Sequence, residues 1–126
     1  MKEKKATLRA VMKIERVKYV IWAAEMERAL TFYEQLGWTR GVENPAGCEV
    51  TLGDSAIFIH SGGSGEKTWT GLTFVVPDIR EAADVVVEAG GTLLKPIEDT
   101  LEEPAHLAYC SDPEGNEFML SKKRQL

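Results

Sequence analysis

The chain has no stretch approaching the ~18 consecutive apolar residues that a bilayer-spanning helix requires, although 44% of its 126 residues are hydrophobic. A membrane partner is therefore not expected. The lysine-bearing start, Met1 to Thr7, leads into an apolar stretch interrupted by Arg9, Lys13, Glu15 and Arg16, so no continuous secretory signal core is present and a cytoplasmic location is expected. Cysteine is scarce. Cys48 and Cys110 are the only two and lack CxxC spacing; without an export signal such a pair reads as two reduced thiols. Positive charge is also short, with 15 Lys and Arg against 20 Asp and Glu and a net charge of −5. The overall field repels polyanions, and nucleic acid is not an expected partner. What remains is a chain of ordinary soluble composition, long enough for one domain.

The strongest positive signal is an internal duplication. Glu25 to Thr39 superimposes without a gap on Asp78 to Thr92, 53 positions further on, and matches Ala29 with Ala82, Gly37 with Gly90 and Thr39 with Thr92. Met26, Ala29, Leu30, Tyr33 and Leu36 recur at the spacing of one helical face, and their images are Ile79, Ala82, Ala83, Val86 and Ala89. Glycine follows each stripe, where a helix ends in the left-handed conformation. Asp78 with Glu81 resembles a capping box. Extended runs precede the helices at 17–22 and 72–76. Short strand-like runs follow at 39–42, 48–52 and 55–60 in the first half, then at 92–94, 107–110 and 117–120 in the second. The order β-α-β-β-β thus occurs twice, over about 14–62 and 68–122, joined by the glycine-rich run 61–65. Gly53-Asp54 and Asp112 to Asn116 are turns. Residues 1–13 have no counterpart in the second half and form an N-terminal extension.

The segment Glu25 to Trp38, with Arg28-Ala29, Phe32-Tyr33 and Leu36-Gly37-Trp38, followed late in the chain by Asp112-Pro113-Glu114-Gly115-Asn116, resembles the vicinal-oxygen-chelate superfamily of glyoxalases, bleomycin-resistance proteins and extradiol dioxygenases. Glu25 stands where the family motif has aspartate. The resemblance covers about residues 14–121. It implies an α+β fold of two tandem βαβββ modules forming a cupped mixed sheet, with helices on the outer face and a ligand in the cup. It also implies a divalent metal, where one is bound, held from four strands, and association as a homodimer in which strands of two chains sometimes complete one cup.

Strand alternation says which side chains face that cup. Lys18, Val20 and Trp22 share one face of the first strand, with Tyr19, Ile21 and Ala23 on the other. By the same parity Phe58, His60, Gly71, Thr73, Val75, Leu107, Tyr109, Glu117 and Met119 face the cup. By the resemblance, the four metal-ligand positions fall on Lys18, Phe58, Gly71 and Met119. An ammonium, a phenyl ring, a hydrogen atom and a thioether do not provide the imidazole and carboxylate donors that divalent ions take, so no metal and no cofactor are expected there. A displaced site built on His60 and Glu117 has two ligands, with Thr73 and Tyr109 as poor thirds.

Trp22 and Trp69 read either as walls of a binding cleft or as filling between the elements. Lys18 needs a partner inside a cupped sheet, and Glu117 is the candidate; the pair is either structural or a means of holding an anionic ligand. Tyr109 reads as a hydrogen-bond donor to a ligand or as core. Cys110 points toward the helices as a small hydrophobe. Glu27, Arg28 and Glu34 on the first helix, and Arg80 and Glu81 on the second, read as solvated faces.

Two functions follow. The first is metal-free binding of a small, partly aromatic molecule by Lys18, Trp22, Phe58, His60, Trp69, Thr73, Tyr109, Glu117 and Met119. The second is an enzyme of the glyoxalase, dioxygenase or thiol-transferase kind, using a displaced metal or acid-base chemistry by Lys18, His60 and Glu117; beside both stands a vestigial pocket in a protein that acts through association. The loops 43–47, 61–68 and 95–106 that shape a cup carry no motif that names a ligand.

Overall fold

The structure is a computed structural model that describes residues 11–98 and 105–122. The order of elements is β1 (Lys18–Ala23), α1 (Met26–Gln35), β2 (Thr39–Asn44), β3 (Gly47–Leu52), β4 (Ser55–Ser61), β5 (Thr68–Val76), α2 (Ile79–Glu88), β6 (Thr92–Leu93), β7 (Leu107–Ser111) and β8 (Asn116–Lys122). They form two four-stranded sheets of matching order, β1-β4-β3-β2 and β5-β8-β7-β6. In each, the first strand runs parallel to the last and the other neighbours are antiparallel. This is an α+β fold of two tandem βαβββ modules. Of the N-terminal extension, residues 1–10 lie outside the described residues, and 11–17 hold no helix or strand.

Strand ends differ from the sequence expectation by one or two residues, except in β5, which starts four residues earlier, at Thr68. Gly71 explains the difference. Its φ of +76° is open to glycine at little cost, and the pairing of β5 with β8 shifts register between Trp69 and Thr73. This irregularity lets the strand continue back through Trp69.

Both helices bury the expected stripe. Ala29, Leu30 and Tyr33 on α1 and Ile79, Ala83 and Val86 on α2 are buried, and Asp78 accepts the Glu81 backbone N–H at 3.0 Å as a cap. Phe32 lies off the α1 stripe yet is fully buried. The reason is the second module: the Phe32 ring stands 6.4 Å from Phe118 of β8, and a methyl group on Gly91 would come within 2.8 Å of Phe32 and 2.7 Å of Val86. A further ring pair across the joint is Trp38 with Phe74 at 5.8 Å, and Phe74 in turn lies 5.0 Å from Phe118 on the adjacent strand of its own sheet. One continuous core therefore runs between the helix-bearing faces of the two sheets. The opposite faces turn outward, leaving Val20, Trp22, Trp69 and Val75 about half exposed or more.

Cys48 and Cys110 are both free and buried. Burial raises both thiols, Cys110 to about 11, so neither presents a reactive thiolate near neutrality. We expect no reaction of the folded protein with a chromogenic aryl disulfide at pH 7.5, and full reaction of both thiols in guanidinium chloride.

Candidate functional site

On the outward face of the first sheet, cross-strand pairing lines up Val20, Phe58 and Glu49, and then Trp22, His60 and Gly47. The Trp22 and His60 rings stack with centroids 4.1 Å apart, and Phe58 meets His60 edge-on at 5.8 Å. His60 Nδ1 lies 2.7 Å from the Ser61 carbonyl oxygen. A carbonyl only accepts, so Nδ1 carries the proton, and in the neutral ring Nε2 is the acceptor. Lys18 Nζ sits 5.7 Å from the centre of the Phe58 ring and 3.3 Å from Glu49. Arg16 donates to both oxygens of the same carboxylate at 2.9 and 3.1 Å. The Arg16 hydrogen bond, joined by Lys18, holds the Glu49 carboxyl below its ordinary range. The partner of Lys18 is thus Glu49, not Glu117. Glu49 lies beside Phe58 on the adjacent strand of the same sheet, whereas Glu117 belongs to the other sheet. Strand parity extended to β3 finds Glu49 from the sequence.

The second sheet carries an analogous face. Thr73, Met119 and Tyr109 form one cross-strand row, and Trp69, Glu117 and Ser111 the next. The Trp69 and Tyr109 rings lie 6.2 Å apart, and Lys95 Nζ sits 4.7 Å above the Tyr109 ring in cation-π geometry. Lys95 lies in the segment after β6, where no periodicity marks it. His106, just before β7, contributes its carbonyl to the Lys122 N–H.

The sequence-derived residues therefore fall into two groups. Lys18, Trp22, Phe58 and His60 share one face, while Trp69, Thr73, Tyr109, Glu117 and Met119 share another, and one chain does not press these faces together. The positions where the fold family holds a metal divide the same way, Lys18 and Phe58 on one sheet and Gly71 and Met119 on the other. Their chemistry does not fit a divalent ion: the one nitrogen among them is an ammonium already paired with Glu49. Among the described residues no group of three or more His, Cys, Asp or Glu side chains could hold one.

A third group ties the modules together at the β7–β8 turn. Glu114, 2% exposed, accepts the backbone N–H groups of Ala24 and Glu25 at 2.8 and 2.9 Å, capping α1 from the other module, and pairs with Arg28. Burial opposes its charge, but the Arg28 hydrogen bond and these backbone donors outweigh it and lower the carboxyl. Asp112 accepts from Tyr33 Oη at 2.6 Å and from Asn116 Nδ2 at 2.9 Å, and Asn116 also donates to the Trp22 carbonyl oxygen at 2.8 Å. Burial nonetheless pushes Asp112 up. The turn motif is visible in the sequence, but the identity of what it grips is not. Arg28, which reads as a solvated charge, is half of this clamp.

The sequence profile of the glyoxalase-like domain matches residues 18–121. The chain belongs to this family, within the glyoxalase, bleomycin-resistance and dioxygenase (vicinal-oxygen-chelate) superfamily. Among solved structures it is similar to a superfamily member from Sphaerobacter thermophilus DSM 20745, with 27% identity and a TM-score of 0.68 over 90% of this chain and 100% of that one. It is also similar to TnmS3, an antibiotic-binding protein from Streptomyces sp. CB03234, with 22% identity and a TM-score of 0.67 over 90% and 100% of the two chains. A third is the bleomycin-binding protein of Streptomyces verticillus, crystallised with copper(II)-bleomycin, with 16% identity and a TM-score of 0.66 over the same shares. No curated protein sequence matches the chain. Among the described residues no helix is long and apolar enough to cross a membrane.

Proposed function

We propose that this chain is a metal-independent binding protein for a small, partly aromatic molecule, acting as a cytoplasmic homodimer. The observation that carries the reading is the pair of half-exposed aromatic faces, Trp22–His60–Phe58 on one sheet and Trp69–Tyr109 beside Met119 on the other, with Trp22 at 48% and Trp69 at 51% exposure. Indole and phenol rings supply large contact area with a polar edge, and methionine adapts to varied apolar shapes. In the homodimer each first-sheet face closes against the second-sheet face of its partner. This covers apolar surface that one chain leaves open and brings Lys18, Phe58, Gly71 and Met119 around one hollow. The antibiotic-binding and bleomycin-binding proteins of the same fold support sequestration as the activity, and two buried free thiols suit a reducing compartment.

Native mass spectrometry on protein taken directly from cells identifies the ligand. Titration with a panel of aromatic antibiotics and metabolites then reads tryptophan quenching. Trp22→Ala is expected to weaken binding by about tenfold or more, the loss typical of a central aromatic contact. Light scattering at micromolar concentration is expected to give a dimer, and a monomer would overturn the shared hollow. Stoichiometric nickel, zinc, iron or manganese in protein purified without chelator would replace this reading with a metal-assisted enzyme.

A further inference from the structure

The duplication makes each half a control for the other, and at one place the halves differ in a way that leaves space. On one side of the joint, Tyr33 and Arg28 of α1 meet Asp112, Glu114 and Asn116 of the β7–β8 hairpin, and the contact is closed by buried hydrogen bonds and an ion pair. The equivalent place on the other side lies between α2 and the β3–β4 hairpin. Helix equivalence puts Val86 where Tyr33 stands and Glu81 where Arg28 stands. Strand pairing puts Leu52, opposite Ser55, where Asp112 stands opposite Asn116. The β3–β4 turn, Gly53-Asp54, is one residue shorter than Pro113-Glu114-Gly115, and its carboxylate, Asp54, does not line the space that the longer turn fills on the other side.

Val86, Glu81, Leu52 and Ser55 all line a cavity of about 550 Å³. Its walls are otherwise mainly apolar, with Trp38, Phe74 and Leu120 among them. That volume falls in the range of sites for small organic molecules. Among the described residues, its only ionisable lining side chains are Asp78 and Glu81, both acidic. Against the two carboxylates stand the roughly +0.5 charge of the α2 N-terminus and the Arg80 guanidinium of the same turn; Arg80 does not line the cavity, so the lining itself is acidic and favours a cation. The sign of the clamp is also inverted: on the closed side the helix offers a cation and the turn an anion, whereas here the helix offers the anion and, among the described residues, no cationic side chain lines the cavity opposite it.

We propose that this inter-module cavity is a second binding site, which shares Thr73 of β5 with the second-sheet face but none of the aromatic residues of either face, for a small amphipathic amine: a hydrocarbon body among Trp38, Phe74, Val86 and Leu120, with its ammonium at Asp78 and Glu81. The site exists within one chain and does not depend on the shared hollow of a dimer.

The test uses the full chain carrying Trp22→Phe and Trp69→Phe, so that Trp38 is its only tryptophan and the aromatic faces are silent. n-Octylammonium, octanol and octanoate are compared by calorimetric titration at pH 7 and by the Trp38 emission shift. The amine is expected to bind at least about tenfold more tightly than either analogue, one ion-pair contribution of about 1.4 kcal/mol, and to shift Trp38 emission. Glu81→Gln should abolish most of the preference for the amine over octanol. Ala82→Phe, filling the cavity from α2 without adding an indole, should abolish binding; Val85→Phe, at a more exposed lining position, serves the same purpose if that variant fails to fold. Equal binding of octanol, tighter binding of octanoate, or undiminished binding in a folded cavity-filling variant would overturn the proposal. It is also overturned if deleting residues 1–15 strengthens amine binding, because the basic N-terminal arm would then be the occupant. Loss of aromatic-ligand binding or of dimerisation bears only on the other site.

Discussion

Glu114→Ala is expected to lower the melting temperature by about 10 °C at pH 7, from a loss of about 3 kcal/mol in a domain of this size. One buried carboxylate accepts the Ala24 and Glu25 N–H groups and pairs with Arg28. Alanine leaves two backbone donors at the start of α1 without this acceptor, together with a void. Arg28 keeps Glu25 at 2.7 Å and is itself half exposed, which holds the loss toward the lower end for a broken buried pair. The pH dependence identifies the cause. Glu114 is lowered in the folded state, so its contribution is present above the unfolded carboxyl range and is lost as pH falls through the folded value. The gap between native protein and variant should therefore narrow on going from pH 7 to pH 3. Asp112 acts in the opposite sense. Burial raises it above 3.8, so its contribution is greatest at low pH and is lost as pH rises through the folded value. Thermal melts across this range check the prediction, and a gap constant with pH would remove the carboxylate from the account.

Phe118→Ala is expected to cost about 3–5 kcal/mol, the usual loss for a fully buried phenylalanine, while Met119→Ala at the next position costs about 1 kcal/mol. Phe118 is 0% exposed and touches rings from both modules, Phe32 and Phe74. Met119 is only partly buried, on the outward face. Chemical denaturation of the two variants reads the difference directly. If Met119→Ala is the more damaging, the outward face of β8 is the core face and the assignment of the ligand surface fails.

Alternation made most of the candidate surface legible. Lys18, Trp22, Phe58, His60, Tyr109, Glu117 and Met119 all project from the outward faces because a strand's side-chain period is two whatever the sheet packs against. The same rule missed Glu49 only because β3 was not carried through it. Partners across the sheets were a different matter. Opposite sign and a shared cup face point from Lys18 to Glu117, whereas the fold supplies Glu49 because β3 and β4 are neighbours. Arg28, which reads as a solvated charge, and Phe32, which the helical stripe leaves out, share a physical reason: each is held by a residue from the other half of the chain, Glu114 and Phe118, 86 positions away in both cases.

The amino-acid sequence by itself determined the duplication, the order of elements, the side-chain alternation along β1, β4, β5, β7 and β8, and which residue types stand at the four positions where the resemblance puts a metal. These are properties of local period and residue chemistry, which travel with each segment. Only the tertiary structure decided that the halves join through their helix-bearing faces, that the aromatic groups consequently look outward on separate sheets, and that one side of the joint is clamped while its twin is hollow. Those outcomes depend on which of two modules of the same element order meets the other and through which surface, and a side-chain period common to both repeats carries almost no local signal that distinguishes the alternatives.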